Sequence, residues 1–368
     1  MNAPRPGSIS RAKVKQGRAE TASRVDFGEP MWRLRGGNLS TRIPLRRVRV
    51  SALLLTAAIL CALVAMTLGA SELSLGQVWG ALSGSESAAT ERVVVQWRLP
   101  RVLFALLCGA ALAYSGAVFQ TLTRNPLGSP DVIGFATGSY LAVAYVTAVL
   151  GAQLYLAKAG AALVGGFLTA LLVYALAFRN GVSSFRLIIV GIGVSAALSS
   201  LTSWILLSVS VEKAMVAATW GAGSIASLGF DQFWPALLTF TALLLLGLPL
   251  TRSLPMLELG DDLAAASGVR VARVRRHALL VGVGMIALVT AAAGPISFIA
   301  LAAPQIAQRL TRAQTPMQPV TAMCTGALLV VLADALAVVW ELPVGVVTVS
   351  VGGLYLVWLL AREYRTRG

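Results

Sequence analysis

Few side chains in this 368-residue sequence could do chemistry, and many of them gather in one place. Residues 257–276 read LELGDDLAAASGVRVARVRR and hold Asp261, Asp262, Arg270, Arg273, Arg275 and Arg276, next to His277, the single histidine. Two neighbouring carboxylates could share a proton or hold a metal, but each use needs further ligands or a tuned base, and the rest of the chain offers few. The three cysteines, Cys61, Cys108 and Cys324, fall in apolar runs without CxxC spacing and read as small core residues rather than as a zinc site. None of the four lysines follows a glycine, so the chain carries no phosphate-binding loop. Residues 73–77, LSLGQ, look like an ATP-cassette signature, but without that loop the likeness carries nothing. We expect no catalysis, no resident cofactor and no metal on this chain.

The polar stretch therefore reads as mechanical. An aspartate after Gly260 can cap a helix over 263–267, and Gly268 sits where a helix end favours positive φ. A second polar helix over 269–276 follows. Two readings fit this helix–turn–helix. One is a basic loop that fixes topology; the other is a platform on the membrane surface where a separate protein docks and moves the rest.

The elements around it are apolar. The chain is 57% hydrophobic and 12% charged, against about a quarter charged in soluble domains. Runs of about 20 apolar residues, enough to cross a bilayer as a helix, recur along the chain. We place ten spans near 50–70, 102–122, 132–150, 154–178, 187–209, 233–250, 277–293, 296–310, 319–340 and 344–361, six before the polar stretch and four after it. The fold class is all-α, a polytopic membrane protein of about ten transmembrane helices with both termini cytoplasmic. Residues 1–49 hold twelve Lys/Arg against three acids and read as a disordered basic cytoplasmic tail, not a secretory signal. Residues 50–362 form the helical domain, with the polar loop at 255–276, and 363–368 the cytoplasmic C-terminus. With ten spans, 25 of the 30 lysines and arginines fall on the side of the tail and the polar loop, which the positive-inside rule makes cytoplasmic. The basic excess points to a membrane, not to nucleic acid. In the second span Gly109, Ala113 and Ala117 make a small-residue stripe for close helix approach.

A set of motifs then appears in a fixed order. Residues 97–101 read WRLPR, with Arg98 and Arg101; 109–120 read GAALAYSGAVFQ and end on Gln120; 124–131 read RNPLGSPD, with Asn125, Pro126 and Asp131. Later come Gly260 through Ala264 to Gly268 and Val269, then Gly294-Pro295-Ile296-Ser297-Phe298, Ala333-Asp334, and Glu341-Leu342-Pro343-Val344. Over about residues 50–362 the chain resembles the permeases of ABC importers for iron–siderophore complexes, haem and cobalamin. The resemblance implies a ten-helix subunit of the bacterial inner membrane that pairs with a second permease, is driven by two cytoplasmic ATPase subunits that bind the ATP, and receives cargo from an extracytoplasmic substrate-binding protein. Ferric siderophore is the cargo it implies first, with haem and cobalamin as alternatives.

By the same resemblance Gly260, Asp261, Asp262, Ala264, Gly268, Val269 and Arg270 shape the ATPase-coupling element, with lipid headgroups an equal alternative for Arg270 and Arg273. Arg98 and Arg101 stand at the outer mouth to meet the binding protein, or else anchor the second span. Gln120, Asn125, Pro126, Asp131, Gly294, Pro295, Glu341 and Pro343 read as structural motif residues. Asp334, a carboxylate inside a span, is a functional candidate by default but reads here as structural. Two positions depart from the family pattern: Gln305 stands where a histidine is common, and Val338 where an arginine is common. The second suggests a missing outer contact, supplied by a homologous but different partner permease. A secondary transporter working alone would want intramembrane charge pairs or inverted halves, which a six-plus-four arrangement fits poorly, and a membrane enzyme would want an acid–base constellation.

Overall fold

The structure is a computed structural model that describes residues 31–36, 39–152, 154–177 and 184–367. Two compact units are distinguished, residues 1–48 and 49–368. In the first, β1 (Met31–Gly36) and β2 (Leu39–Pro44) pair antiparallel, with Met31 opposite Pro44 and Gly36 opposite Leu39. These residues belong to the stretch 1–49 that the sequence leads one to expect as a disordered basic tail. The disorder expected for residues 1–30 lies outside the described residues.

The rest is helical. α1 (Leu45–Ala65) is the first long apolar helix, and Leu53, Ile59, Leu60 and Val64 leave its surface bare. After it come α2 (Leu75–Leu82), whose Ser74 and Gln77 form a reciprocal capping box, and α3 (Ala88–Glu91). A π-helical stretch Arg92–Arg98 runs into α4 (Leu99–Thr123), the hub of the molecule, of whose 25 residues 20 are buried. Its small residues explain that position. A Cβ on Gly109 would collide with the Gly326 carbonyl, and one on Gly116 with the Ala300 carbonyl, so two neighbouring helices lie backbone against backbone on one stripe of α4.

The expected spans three to six correspond to α6 (Phe135–Ala144) with its π-helical extension Tyr145–Val149, α7 (Tyr155–Ala177), α8 (Ser184–Leu207) and α10 (Phe230–Gly247). Between α4 and α6 stands the short α5 (Pro130–Ile133); between α8 and α10 stands α9 (Val211–Gly221). Beyond α11 (Leu250–Ser253) and the polar segment come α13 (Val271–Ala293), α14 (Ile299–Thr311), α15 (Pro319–Val339) and α16 (Val344–Arg367), with α12 (Asp261–Ala266) inside that segment. Each of the ten expected spans has a helical counterpart. Among the described residues, seven helices are long and apolar enough to cross a membrane; Phe135–Val149 and Val344–Val357 are shorter apolar stretches, and α14 is shorter still.

Candidate functional site

The polar segment is built from rigid short pieces. A 3-10 helix over Pro255–Leu259 leads to Gly260, whose φ of 109° and ψ of 154° suit only glycine. Gly260 itself is the N-cap of α12, and Asp261 and Asp262 occupy its first turn. The expected aspartate cap is thus corrected: no side chain caps this helix, and the carboxylates complement its positive end from inside the first turn. Gly268 takes φ 83°, and Val269 N–H donates to the Ala264 carbonyl at 3.0 Å, so the helix closes where the sequence predicts. The second half differs from expectation. Residues from Val271 onward do not lie apart as a surface helix; they are the opening turns of α13, which continues to Ala293.

Leu257 and Ala264 are buried and anchor the segment, while Leu259, Asp262, Leu263 and Arg270 face outward. Leu259 and Leu263 are each about 60% exposed, so a polar loop presents an apolar tip. Asp261 turns inward. Its Oδ1 accepts from the Arg124 guanidinium at 2.6 Å, and both its oxygens accept from Arg275 Nη2 at 2.8 Å. Arg124 ends α4 in the left-handed region, with φ 51°, a conformation that costs a non-glycine residue energy and aims this side chain across the loop. On the far side the Thr315 hydroxyl donates to Glu258 at 2.8 Å. Three anchors, the end of α4, the start of α13 and the loop before α15, thus grip one segment. Partial burial opposes ionisation of Asp261, but the bonds and charges of Arg124 and Arg275 outweigh it and hold its carboxyl below the usual range. Burial dominates at Glu258 and pushes its carboxyl up, only partly offset by Thr315 and Arg124.

The other expected residues fall into two groups. At the opposite end of α4, Arg101 forms a bidentate pair with the buried Asp334 on α15, at 2.7–3.0 Å. Arg98 is only 9% exposed; it donates to the Met66 carbonyl at 2.8 Å and to the Ser71 carbonyl and hydroxyl, closing the end of α1. Both arginines therefore have internal partners, and the surface they leave for an outside protein is small. The structural motif residues knit the helices. Gln120 donates to the Leu301 carbonyl and accepts from Gln305, so the residue that departs from the family pattern meets a motif glutamine. Asn125 accepts from Leu127 N–H in the turn made rigid by Pro126. Asp131 accepts from Phe298 N–H at the head of α14. Gly294, with φ 76°, lies against the Trp220 carbonyl, Pro295 against Gly223 and Gly345, and Gly345 N–H donates to Gly223. Pro343 opens α16, and Glu341 is exposed with φ 53°.

Arg124 and Arg275 are the residues whose function the sequence hid. Arg124 lies 137 positions from Asp261, and no local spacing joins them.

Comparison with known proteins places the chain in a family. The model of the FecCD transport family matches residues 54–362. The ferric enterobactin transport system permease protein FepG of Escherichia coli is 47% identical over 327 residues, 88% of this chain and 98% of that protein. The permease protein FepD of the same system in the same organism is 36% identical over 327 residues, covering 87% and 97%. A solved structure of a metal-chelate type ABC transporter in an inward-facing conformation superposes with a TM-score of 0.75 at 26% identity, covering 86% of this chain and 99% of that one. The chain belongs to the FecCD transport family: it is a multi-pass permease of the inner membrane and not an enzyme.

Proposed function

We propose that this permease forms half of the path by which an ATP-driven importer carries iron–siderophore complexes into the cell. It crosses the membrane ten times, with both termini in the cytoplasm, and residues 255–276 receive one of two ATPase subunits. The observation that carries this reading is the gripped polar segment. An element with an apolar tip, joined by charge to α4 and directly continuous with α13, can pass a push from a neighbouring protein into two buried helices. A topology-fixing loop needs neither the tip nor the grip. The cargo follows from the relative that is 47% identical and is described as a ferric enterobactin permease.

The second permease is a homologous, different chain. Two distinct permease proteins of one transport system both match this sequence over nearly their whole length, which supports such a pair. The binding protein docks on the face that carries Arg98 and Arg101. There a cavity of about 880 Å³ is lined by Arg101, Glu72, Ser224 and Glu341 among others. Arg101 keeps 22% of its side-chain surface open and offers the positive charge; Arg98 shapes the mouth.

The test is uptake of labelled iron–siderophore, haem and cobalamin in cells lacking the chain, with the intact chain or an Asp261→Asn/Asp262→Asn variant restored. Loss of iron–siderophore uptake alone, rescued by the intact chain and not by a variant that still reaches the membrane, is the expected result. Loss of haem or cobalamin uptake instead would redirect the cargo, and full rescue by the variant would remove the coupling role.

A further inference from the structure

α13 begins with an electrostatic oddity. The N-terminal turn of a helix carries partial positive charge and favours acids, yet this one has no acid, and Arg270, Arg273, Arg275 and Arg276 crowd its start. Arg275 is accounted for by Asp261. Arg273 and Arg276 are exposed and, among the described residues, meet no acidic group. Three residues apart, they share one helix face.

That face continues into a groove. Between α7 and α13 lies an open cavity of about 370 Å³ whose walls are apolar, with Phe167 and Leu171 from one helix and Leu279, Leu280 and Val283 from the other, and with Arg276 at one end. From Arg276 to Val283 the groove runs roughly 10 Å along the helix, at about 1.5 Å per residue, the length of half a fatty-acyl chain. Leu171 and Leu280 are 63% and 58% exposed, so the walls are open and not filled by any of the described residues.

We propose that this groove binds one anionic phospholipid of the cytoplasmic leaflet, its acyl chain lying between α7 and α13 and its phosphate held by Arg276 and Arg273. The charge selects the occupant. An apolar trough alone accepts any lipid, whereas unpaired guanidinium groups at a helix N-terminus, at the mouth of such a trough, favour a phosphate without a compensating amine. Arg276 adjoins Arg275, so the headgroup sits beside the contact that holds Asp261 and would steady the first turns of α13.

The inference rests on the membrane reading above, with the arginine end of α13 towards the cytoplasm. Its readout is lipid retention, so its failure leaves the transport reading intact. The full-length chain, purified in detergent, is given equal amounts of dioleoyl phosphatidylglycerol and dioleoyl phosphatidylcholine and weighed intact by native mass spectrometry. The expected result is preferential retention of one phosphatidylglycerol, falling about fivefold for each arginine removed in R276Q and R273Q/R276Q. Leu280→Trp fills the trough but keeps both charges, and lowers retention too. Arg270→Gln lies outside the groove and leaves retention unchanged, while inorganic phosphate does not displace the lipid. Equal retention of the two lipids would overturn the proposal. So would wild-type retention by R273Q/R276Q or L280W, an R270Q loss as large as that of R276Q, or full displacement by inorganic phosphate. Circular dichroism melts keep a misfolded variant from being read as a lost site.

Discussion

The two ends of α4 are both held by arginine–carboxylate contacts, and the contacts differ in kind. At one end Arg101 grips a single buried acid, Asp334, with its side chain in two-point register. At the other end Arg124 shares Asp261 with Arg275, and the aspartate side chain is 43% exposed. A bidentate pair on a buried acid has one good geometry, and losing the arginine leaves a bare carboxylate in the interior. A wet three-body contact has several geometries of similar energy. The first kind locks two helices together, whereas the second lets a segment shift by small amounts without losing its grip, which suits the docking role proposed for that end.

The largest effect should come from breaking the locked end. Arg101→Ala strands the buried Asp334 and should cost about 3–5 kcal/mol, the usual penalty for leaving a buried charge without its partner, read as a lower melting temperature and less protein in the membrane. Removing both partners together, as Arg101→Met/Asp334→Leu, should recover much of that loss. If the single and double variants melted alike, the lock would be an illusion of proximity. At the wet end, Asp261→Asn should cost about 1 kcal/mol or less in stability while abolishing most uptake. A variant that unfolds as readily as Arg101→Ala would erase the distinction.

Salt sharpens the contrast further. Raising ionic strength screens exposed pairs over about 10 Å at 0.1 M, so it should weaken protection of α12 amides from hydrogen exchange and leave the α4–α15 contact unchanged. The smallest effect concerns acid. The Asp261 carboxyl titrates below its ordinary 3.8, so its stabilising contribution is present above that value and is lost as pH falls through the lowered one. Glu258 titrates above its ordinary 4.5, so its contribution is present below 4.5 and is lost as pH rises through the raised value. Glu258→Gln should therefore leave the segment slightly firmer at neutral pH than wild type, seen as slower exchange there and a flatter profile on acidification.

Much of this was legible beforehand for physical reasons. A bilayer demands long apolar helices, so spans announce themselves; Gly109, Ala113 and Ala117 forecast a close helix neighbour, and Gly326 of α15 occupies that place against Gly109 and Ala113. Gly260 and Gly268 marked the ends of α12 because their backbone angles exclude other residues. What stayed hidden was pairing at a distance. The sequence shows Asp334 as a lone intramembrane acid, and only the fold brings Arg101 to it from 233 positions away. Arg98 looked like a free outer cation because nothing local reveals that the carbonyls at the end of α1 would need it. Polar loop composition suggested two surface helices after Gly260, but the arginine-rich second one has apolar continuation in register and simply runs on into the membrane.

That last feature has a mechanical side. α13 is one unbroken rod of 23 residues, about 34 Å long at 1.5 Å per residue. Its near end is fastened to the polar segment through Arg275, and just past its far end Gly294 and Pro295 lie against Gly223 and Gly345. Such a rod works as a lever. A tilt of about 5° at the clamp carries the opposite tip through about 3 Å over that length, comparable with the backbone approaches that Gly294, Gly223 and Gly345 permit there. Under the proposed coupling, a push on the polar segment reaches the other end of α13 with no helix having to melt; the leverage is stored in the length of a single helix.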